Sequence, residues 1–225
     1  MPCTINQEPD PETGRYRWLM QAVDPCKCTE IGMGGFSTFV PYIPYEVTNY
    51  DTFLISSDPV EIQQWLNCPA CSIEEPLGME DRRIPDNRIT ASSVYEGKQA
   101  THGPARARLN TEGYAEAWCN DNSDDSPWIQ VDFVGSVTVT GLITQRRGDY
   151  DQWVTEYQLT YSDDGQSWYN VTDADGIPIK FPGNKGSNSL VTTRFPFALR
   201  TRILRIHPTE WNVHCSMRFE VIGCY

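Results

Sequence analysis

Trp128-Ile129-Gln130-Val131-Asp132-Phe133 leads, across Val134, Gly135 and Ser136, into Val137-Thr138-Val139-Thr140-Gly141-Leu142-Ile143-Thr144-Gln145. In the first run Ile129, Val131 and Phe133 alternate with Gln130 and Asp132, the period of a half-buried strand. In the second, Val137, Val139, Gly141 and Ile143 share one face, and Thr138, Thr140, Leu142 and Thr144 the other. Gly135-Ser136 has the composition of a turn, so the stretch predicts the central hairpin of an antiparallel sheet.

Further motifs lie on both sides. Upstream stand Pro76-Leu77-Gly78-Met79-Glu80, Ile84-Pro85-Asp86, Ile89-Thr90-Ala91-Ser92-Ser93 and Ala107-Arg108-Leu109-Asn110. Downstream come Tyr150-Asp151-Gln152-Trp153-Val154-Thr155, Tyr161-Ser162-Asp163-Asp164-Gly165-Gln166-Ser167-Trp168, Phe181-Pro182-Gly183-Asn184, Leu204-Arg205-Ile206-His207-Pro208 and Met217-Arg218-Phe219-Glu220-Val221-Ile222-Gly223-Cys224. In this order, from Cys71 to Cys224, the motifs resemble the discoidin domain, also called the coagulation factor five/eight type C domain. The resemblance implies an all-β chain: a discoidin-type jelly-roll β-sandwich or barrel of about eight main strands over residues 68–225, with turn signals at the spacing such sheets show. A small cysteine-containing N-terminal region, residues 1–67, precedes it.

The formal charge of -12 is shared evenly. Residues 1–70 carry three basic and nine acidic side chains and residues 71–225 fifteen and twenty-one, leaving -6 on each part. A uniformly acidic protein has no electrostatic pull on nucleic acid and is repelled by anionic membrane, so both partner classes are disfavoured. No run approaches the ~18 apolar residues of a membrane span. Eight cysteines in a β-rich chain point to an oxidising compartment, and hence to a secreted protein whose signal peptide is absent from this chain and presumed removed. Asn170-Val171-Thr172 is a sequon for N-glycosylation at Asn170.

The N-terminal region is read as irregular. Gln7 to Thr13 should be extended and solvated, Tyr16 to Met20 a short strand or helical turn, and Ile31 to Tyr50 loop with short strands. Asp58-Pro59-Val60-Glu61 is a helix start, with Asp58 as N-cap and Pro59 at the first helical position, predicting a short helix near 59–66. Cys26 and Cys28, one residue apart, are poorly placed to bond each other and call for distant partners. The pairing of Cys3, Cys26, Cys28 and Cys68 is left open. The placement of Cys26, Cys28 and Cys68 ahead of the domain is similar to that of secreted discoidin proteins of retinoschisin type, which assemble through cysteines outside the domain. That raises a disulfide-linked homo-oligomer, and with it a structural assembly protein, as the alternative function.

The domain resemblance also implies a disulfide between Cys71 and Cys224 at the two ends, and a second bridge between Cys119 and Cys215; the alternative for the second pair is two buried free thiols. It places ligand binding on three loops at one end of the sandwich: Tyr95 to Pro104, Thr111 to Ala115 and Arg146 to Trp153. From loop position, Tyr95, His102, Tyr114, Arg146, Asp149, Tyr150 and Trp153 are the candidate ligand contacts. Trp128, Trp168, Trp211 and Arg218 are assigned to the core. Membrane-inserting members present apolar tips within a basic collar, and these loops do not. A mixed polar and aromatic rim suits a cell-surface glycan or an extracellular protein, because tyrosine stacks while arginine and aspartate fix hydrogen bonds. The phospholipid binder is the least favoured alternative.

Arg147-Gly148-Asp149 is the integrin-binding tripeptide and falls in the third loop; it can work only if both charged ends are displayed. Asn120 to Asp125 offers oxygen ligands without the spacing or closing glutamate of a calcium loop, so neither calcium nor any other cofactor or metal is favoured. His102, His207 and His214 form no zinc spacing, and no nucleophile elbow, phosphate loop or dinucleotide fingerprint occurs. The chain is read as a recognition and adhesion module, not an enzyme.

Overall fold

The structure is a computed structural model that describes residues 2–9, 16–20, 25–37, 50–66, 68, 71–186 and 190–225. The extended reading of residues 10–13 and the loop reading of 38–49 lie outside the described residues. The chain falls into two compact units, Met1–Cys68 with Asp173–Gly176, and Pro69–Thr172 with Ile177–Tyr225.

The first unit is more ordered than its sequence implies. Strands β1 (Pro2–Pro9), β2 (Tyr16–Met20), β3 (Glu30–Ser37) and β4 (Tyr50–Ser56) form a sheet in the order β2-β1-β3-β4. β1 runs parallel to β3, and the other pairs are antiparallel. Helix α1 (Pro59–Trp65) starts where Asp58 accepts the Val60 N–H at 2.9 Å, with Pro59 in its first turn. Among the described residues the buried core is Cys3, Cys28, Ile31 and Ile62, flanked by Ile5, Met20 and Leu66. A core so small needs covalent staples. Two are present, Cys3–Cys28 and Cys26–Cys68, so the neighbouring cysteines do take separate partners. All four N-terminal cysteines pair within the chain. In this fold none of the four keeps a free thiol.

Among the described residues the second unit is a curled sheet of nine strands. In chain order these are β5 (Glu75–Pro76), β6 (Ile89–Ala91), β7 (Trp118–Cys119), β8 (Ile129–Gln145), β9 (Trp153–Ser162), β10 (Tyr169–Asn170), β11 (Phe181–Pro182), β12 (Val191–Asn212) and β13 (Ser216–Cys224). The main path is β10-β9-β12-β8-β13-β5; β11 joins β9, β6 joins β8 and β7 joins β13. A short helix, α2 (Gln99–His102), lies between β6 and β7. Trp118, Leu142, Tyr157, Leu159, Leu204, Ile206 and Phe219 fill the interior.

The predicted central hairpin is not formed. Ile129 to Gln145 is one strand, and its two halves pair not with each other but with one partner. β12 matches Leu204 to Val131 in the first half and Leu199 to Val139 in the second. The bend between them is pinned by Asp132, which accepts the Val134 N–H at 2.8 Å and salt-bridges Arg88 and Arg202. Gly135 and Ser136 therefore mark a corner around which two long strands travel together. The face assignment also inverts after Gly141: Leu142 and Thr144 are buried and Ile143 is half-buried. A side chain at Gly141 would meet the Thr193 carbonyl at 2.5 Å, and β13 slips register at Ile222/Gly223 alongside.

The Cys71–Cys224 disulfide is present. Cys119 and Cys215 are free and buried, correcting the second predicted bridge. The register explains it: Cys119 faces Ser216 across β7 and β13, and the Ser216 hydroxyl lies 3.2 Å from its sulfur. Cys215 lies one residue before that pair, ahead of β13, and is not bonded to Cys119. Trp211 also departs from expectation, being 38% exposed. Trp128 and Trp168 instead sandwich Arg205, whose guanidinium carbon lies 4.0 and 3.6 Å from the two rings.

His207, beside this stack, is half-buried, with Nε2 2.8 Å from the Thr160 hydroxyl. Burial, and then the charge of Arg205, push its pKa down to about 4. The unfolded chain therefore takes up this proton at a higher pH than the folded one. The stabilisation is complete above about pH 6.5 and is lost as pH falls toward 4. After discounting for solvent access, we expect ~1–2 kcal/mol of stability to disappear across that window in urea titrations. His207→Asn should flatten it, and an unchanged slope in that variant would assign the effect elsewhere.

Candidate functional site

Three loops meet at the end of the sheet where β8 finishes and β9 begins. In the first, residues 95–104, α2 presses the Gly103 backbone against the Gln99 carbonyl, where a Cβ would sit 2.3 Å away. The second, residues 111–115, is shaped by one side chain. Arg106 donates to the carbonyls of Ala115, Glu112 and Tyr114 at 3.2, 2.9 and 3.0 Å, which turns the Tyr114 ring outward to 77% exposure. In the third, residues 146–153, Arg147 is buried. Its guanidinium clasps Asp149 at 2.6 and 3.1 Å, donates to Gln152 Oε1 at 3.0 Å, and lies 4.5 Å from the centre of the exposed Tyr150 ring.

Struts join the loops. Arg218, expected only in the core, donates to the Arg146 carbonyl at 2.8 Å and to the Thr111 carbonyl at 2.9 Å. The Glu116 N–H reaches Asp149 Oδ1 at 3.4 Å. Tyr95 packs its ring 5.2 Å from that of His102, and His102 meets Tyr114 edge-on at 6.5 Å. The structure thus gathers Tyr95, His102 and Tyr114 into one aromatic cluster, with His102 itself buried. Tyr150 stacks on the third loop.

Two candidates stand apart. Arg146 is ion-paired with Asp151 at 2.5 Å and its Nε is buried without a hydrogen-bond partner. Trp153 opens β9, pairs in register with Asn212 and packs against Gly186. Sequence reasoning missed His214 as a member of the site, weighing it only for zinc spacing. Its ring meets Tyr95 edge-on at 5.5 Å and its Nε2 lies 3.0 Å from the Asn120 carbonyl. A histidine in the turn before the last strand was the available signal, but nothing in the sequence told which loop it would face.

Electrostatically the loop end is self-cancelling. Lys98 pairs with Glu96, Arg146 with Asp151 and Arg147 with Asp149, while Arg106 and Arg218 are taken up by carbonyls. Burial lowers the pKa of both His102 and His214, so both rings are neutral at pH 7. Burial alone would raise the Asp149 carboxyl, but the Arg147 hydrogen bonds and charge hold it below the usual carboxylate range. An RGD ligand displays its two charges apart, whereas here they neutralise each other and Arg147 is 7% exposed. In the Asn120 to Asp125 turn, Asp124 Oδ2 accepts from the Ser92 and Ser93 hydroxyls at 2.5 and 2.6 Å, and Asp121 caps Ser123. Among the described residues no cluster of three or more metal-ligating side chains occurs.

The family model for the F5/8 type C domain matches residues 88–221, more than half of the chain. The chain belongs to the F5/8 type C, or discoidin, family. This discoidin chain is 39% identical over 165 residues to lactadherin of Sus scrofa, covering 71% of itself and 40% of that protein. It is 32% identical over 163 residues to retinoschisin of Mus musculus, covering 71% of itself and 73% of that protein. Among solved structures, discoidin II from Dictyostelium discoideum superposes with a TM-score of 0.58 at 26% identity, over 69% of this chain and 60% of that one. The chain spans about two fifths of the lactadherin it matches. Among the described residues no helix is long and apolar enough to cross a membrane.

Proposed function

We propose that this discoidin chain is a secreted recognition module that binds a neutral cell-surface glycan through its three-loop end. The observation that carries the reading is the combination of exposed tyrosines with cancelled charge. Tyr114 and Tyr150 stand 77% and 59% exposed, and every basic side chain of the three loops is held by a carboxylate within them. Aromatic faces over a neutral, hydrogen-bonding floor fit the C–H face and hydroxyls of a sugar. A phospholipid headgroup would need free cations around an apolar tip, and the loops offer none. Three disulfides support an oxidising, extracellular setting.

The test is a glycan array probed with the secreted, disulfide-intact protein beside Tyr114→Ala and Tyr150→Ala. We expect saturable binding to one sugar class, weakened about tenfold in each variant, as loss of a stacking contact predicts. Absence of sugar binding would overturn the reading and leave an extracellular protein as the partner class. Sedimentation with phosphatidylserine vesicles should leave the protein in the supernatant.

A further inference from the structure

Asn212, Val213 and His214 close a three-residue turn between β12 and β13, in which the His214 N–H donates to the Asn212 carbonyl at 2.7 Å. Its central residue has φ of 61°. For a β-branched side chain this left-handed conformation is disfavoured by the clash of Cβ with the following carbonyl, and tight turns of this hand are rare and strained. Glycine or asparagine would make the turn without that strain. Valine contributes nothing to the core in return, because it is 80% exposed.

The turn is held at the loop end from both sides. The Asn212 amide donates to the Asp151 carbonyl of the third loop at 2.8 Å. The His214 ring packs edge-on against Tyr95 of the first loop at 5.5 Å, and the Asn120 N–H donates to the Cys215 carbonyl at 3.2 Å. An exposed apolar side chain in a strained conformation is thereby fixed between two of the loops that carry the candidate contacts. Backbone strain kept where the fold gains nothing from it is characteristic of sites under functional demand.

We infer that the turn Asn212 to Cys215 is a fourth contact element of the loop end, with Val213 supplying an apolar contact to the C–H face of the bound sugar. The inference rests on the glycan reading above. The same chain provides an internal control. Val134 also has positive φ, 71°, and is 59% exposed. It sits at the corner of β8 beside Asp132, away from the end of that strand where Gln145 enters the third loop. If strain alone explained the two valines they would behave alike.

Val213→Gly, Val213→Asn and Val134→Gly are compared with the unaltered protein by thermal melting and by titration against the glycan that the array identifies. Relief of the left-handed conformation should raise the melting temperature of both glycine variants by about 2–3 °C. Binding should fall about tenfold in Val213→Gly and Val213→Asn and stay unchanged in Val134→Gly. Wild-type affinity in both Val213 variants would overturn the fourth element while leaving the glycan reading intact. A Val213→Gly protein that melts no higher than the parent would overturn it too, since the residue would then not be strained. If the unaltered protein binds no sugar at all, the glycan reading fails and this inference falls with it.

Discussion

Replacing both Cys71 and Cys224 by serine is expected to destabilise the sheet unit by about 5 kcal/mol, the chain-entropy value for so long a loop. The bridge closes a sequence separation of 153 residues. Without it, the ends are held by the two-residue pairing of β5 with β13, by the Leu77 N–H on the Val221 carbonyl at 2.8 Å, by the Met79 and Glu80 N–H groups on the Glu220 carboxylate, and by the Tyr225 hydroxyl donating to the Leu77 carbonyl at 2.6 Å. A domain of this size has about 5–15 kcal/mol in total, so the loss removes a large share of it. Urea unfolding followed by tryptophan fluorescence would read it as a lower midpoint with little change of slope in the native baseline. A shift worth less than about 1 kcal/mol would mean that the paired ends suffice and that the entropic argument does not apply here.

How much of this was legible depends on what each residue's position is fixed by. Motif order gave the sheet and the loop end, because Ile129, Val131 and Phe133 must alternate and a loop bounded by two such strands must lie at an end. It did not separate a hairpin from a corner, since Gly135 and Ser136 suit both; only the pairing of β12 with both halves of β8 decides. Cysteine chemistry was legible where spacing alone forbids a bond, as between Cys26 and Cys28. It was illegible for Cys119 and Cys215, where the register pairs Cys119 with Ser216 and not with Cys215. Tyr114 and Tyr150 were found from loop position. Val213 was not, because a valine two residues after a tryptophan reads as strand, and its positive φ is imposed by the turn that joins the loops. Arg218 carried a second role that sequence could not show: a buried arginine aimed at carbonyls of two loops is a strut as well as a core residue.

Arg147→Ala is expected to dismantle the third loop, with a loss of about 2–4 kcal/mol in stability and of glycan binding together. The guanidinium is the hub of that loop. It donates to both Asp149 oxygens, to Gln152 Oε1 and toward the buried Cys119 sulfur at 3.4 Å, and it supports the Tyr150 ring. Alanine leaves a half-buried carboxylate without its counter-charge, and removal of one member of a buried pair is the damaging case. Asp149 should then titrate at higher pH, so the variant loses further stability at neutral pH, where its carboxylate is ionised and unpaired, and recovers part of it on acidification. Arg147→Lys separates charge from geometry: the ammonium keeps the charge but cannot fork onto Asp149 and Gln152 at once, so it should restore only part of the stability. The same contacts govern adhesion. Integrin-bearing cells should not attach to the immobilised native protein, and attachment competed by a soluble RGD peptide would show that the Arg147–Asp149 clasp opens. Stability unchanged in Arg147→Ala would place the cohesion of the loop in its backbone, leaving the arginine free to meet a ligand.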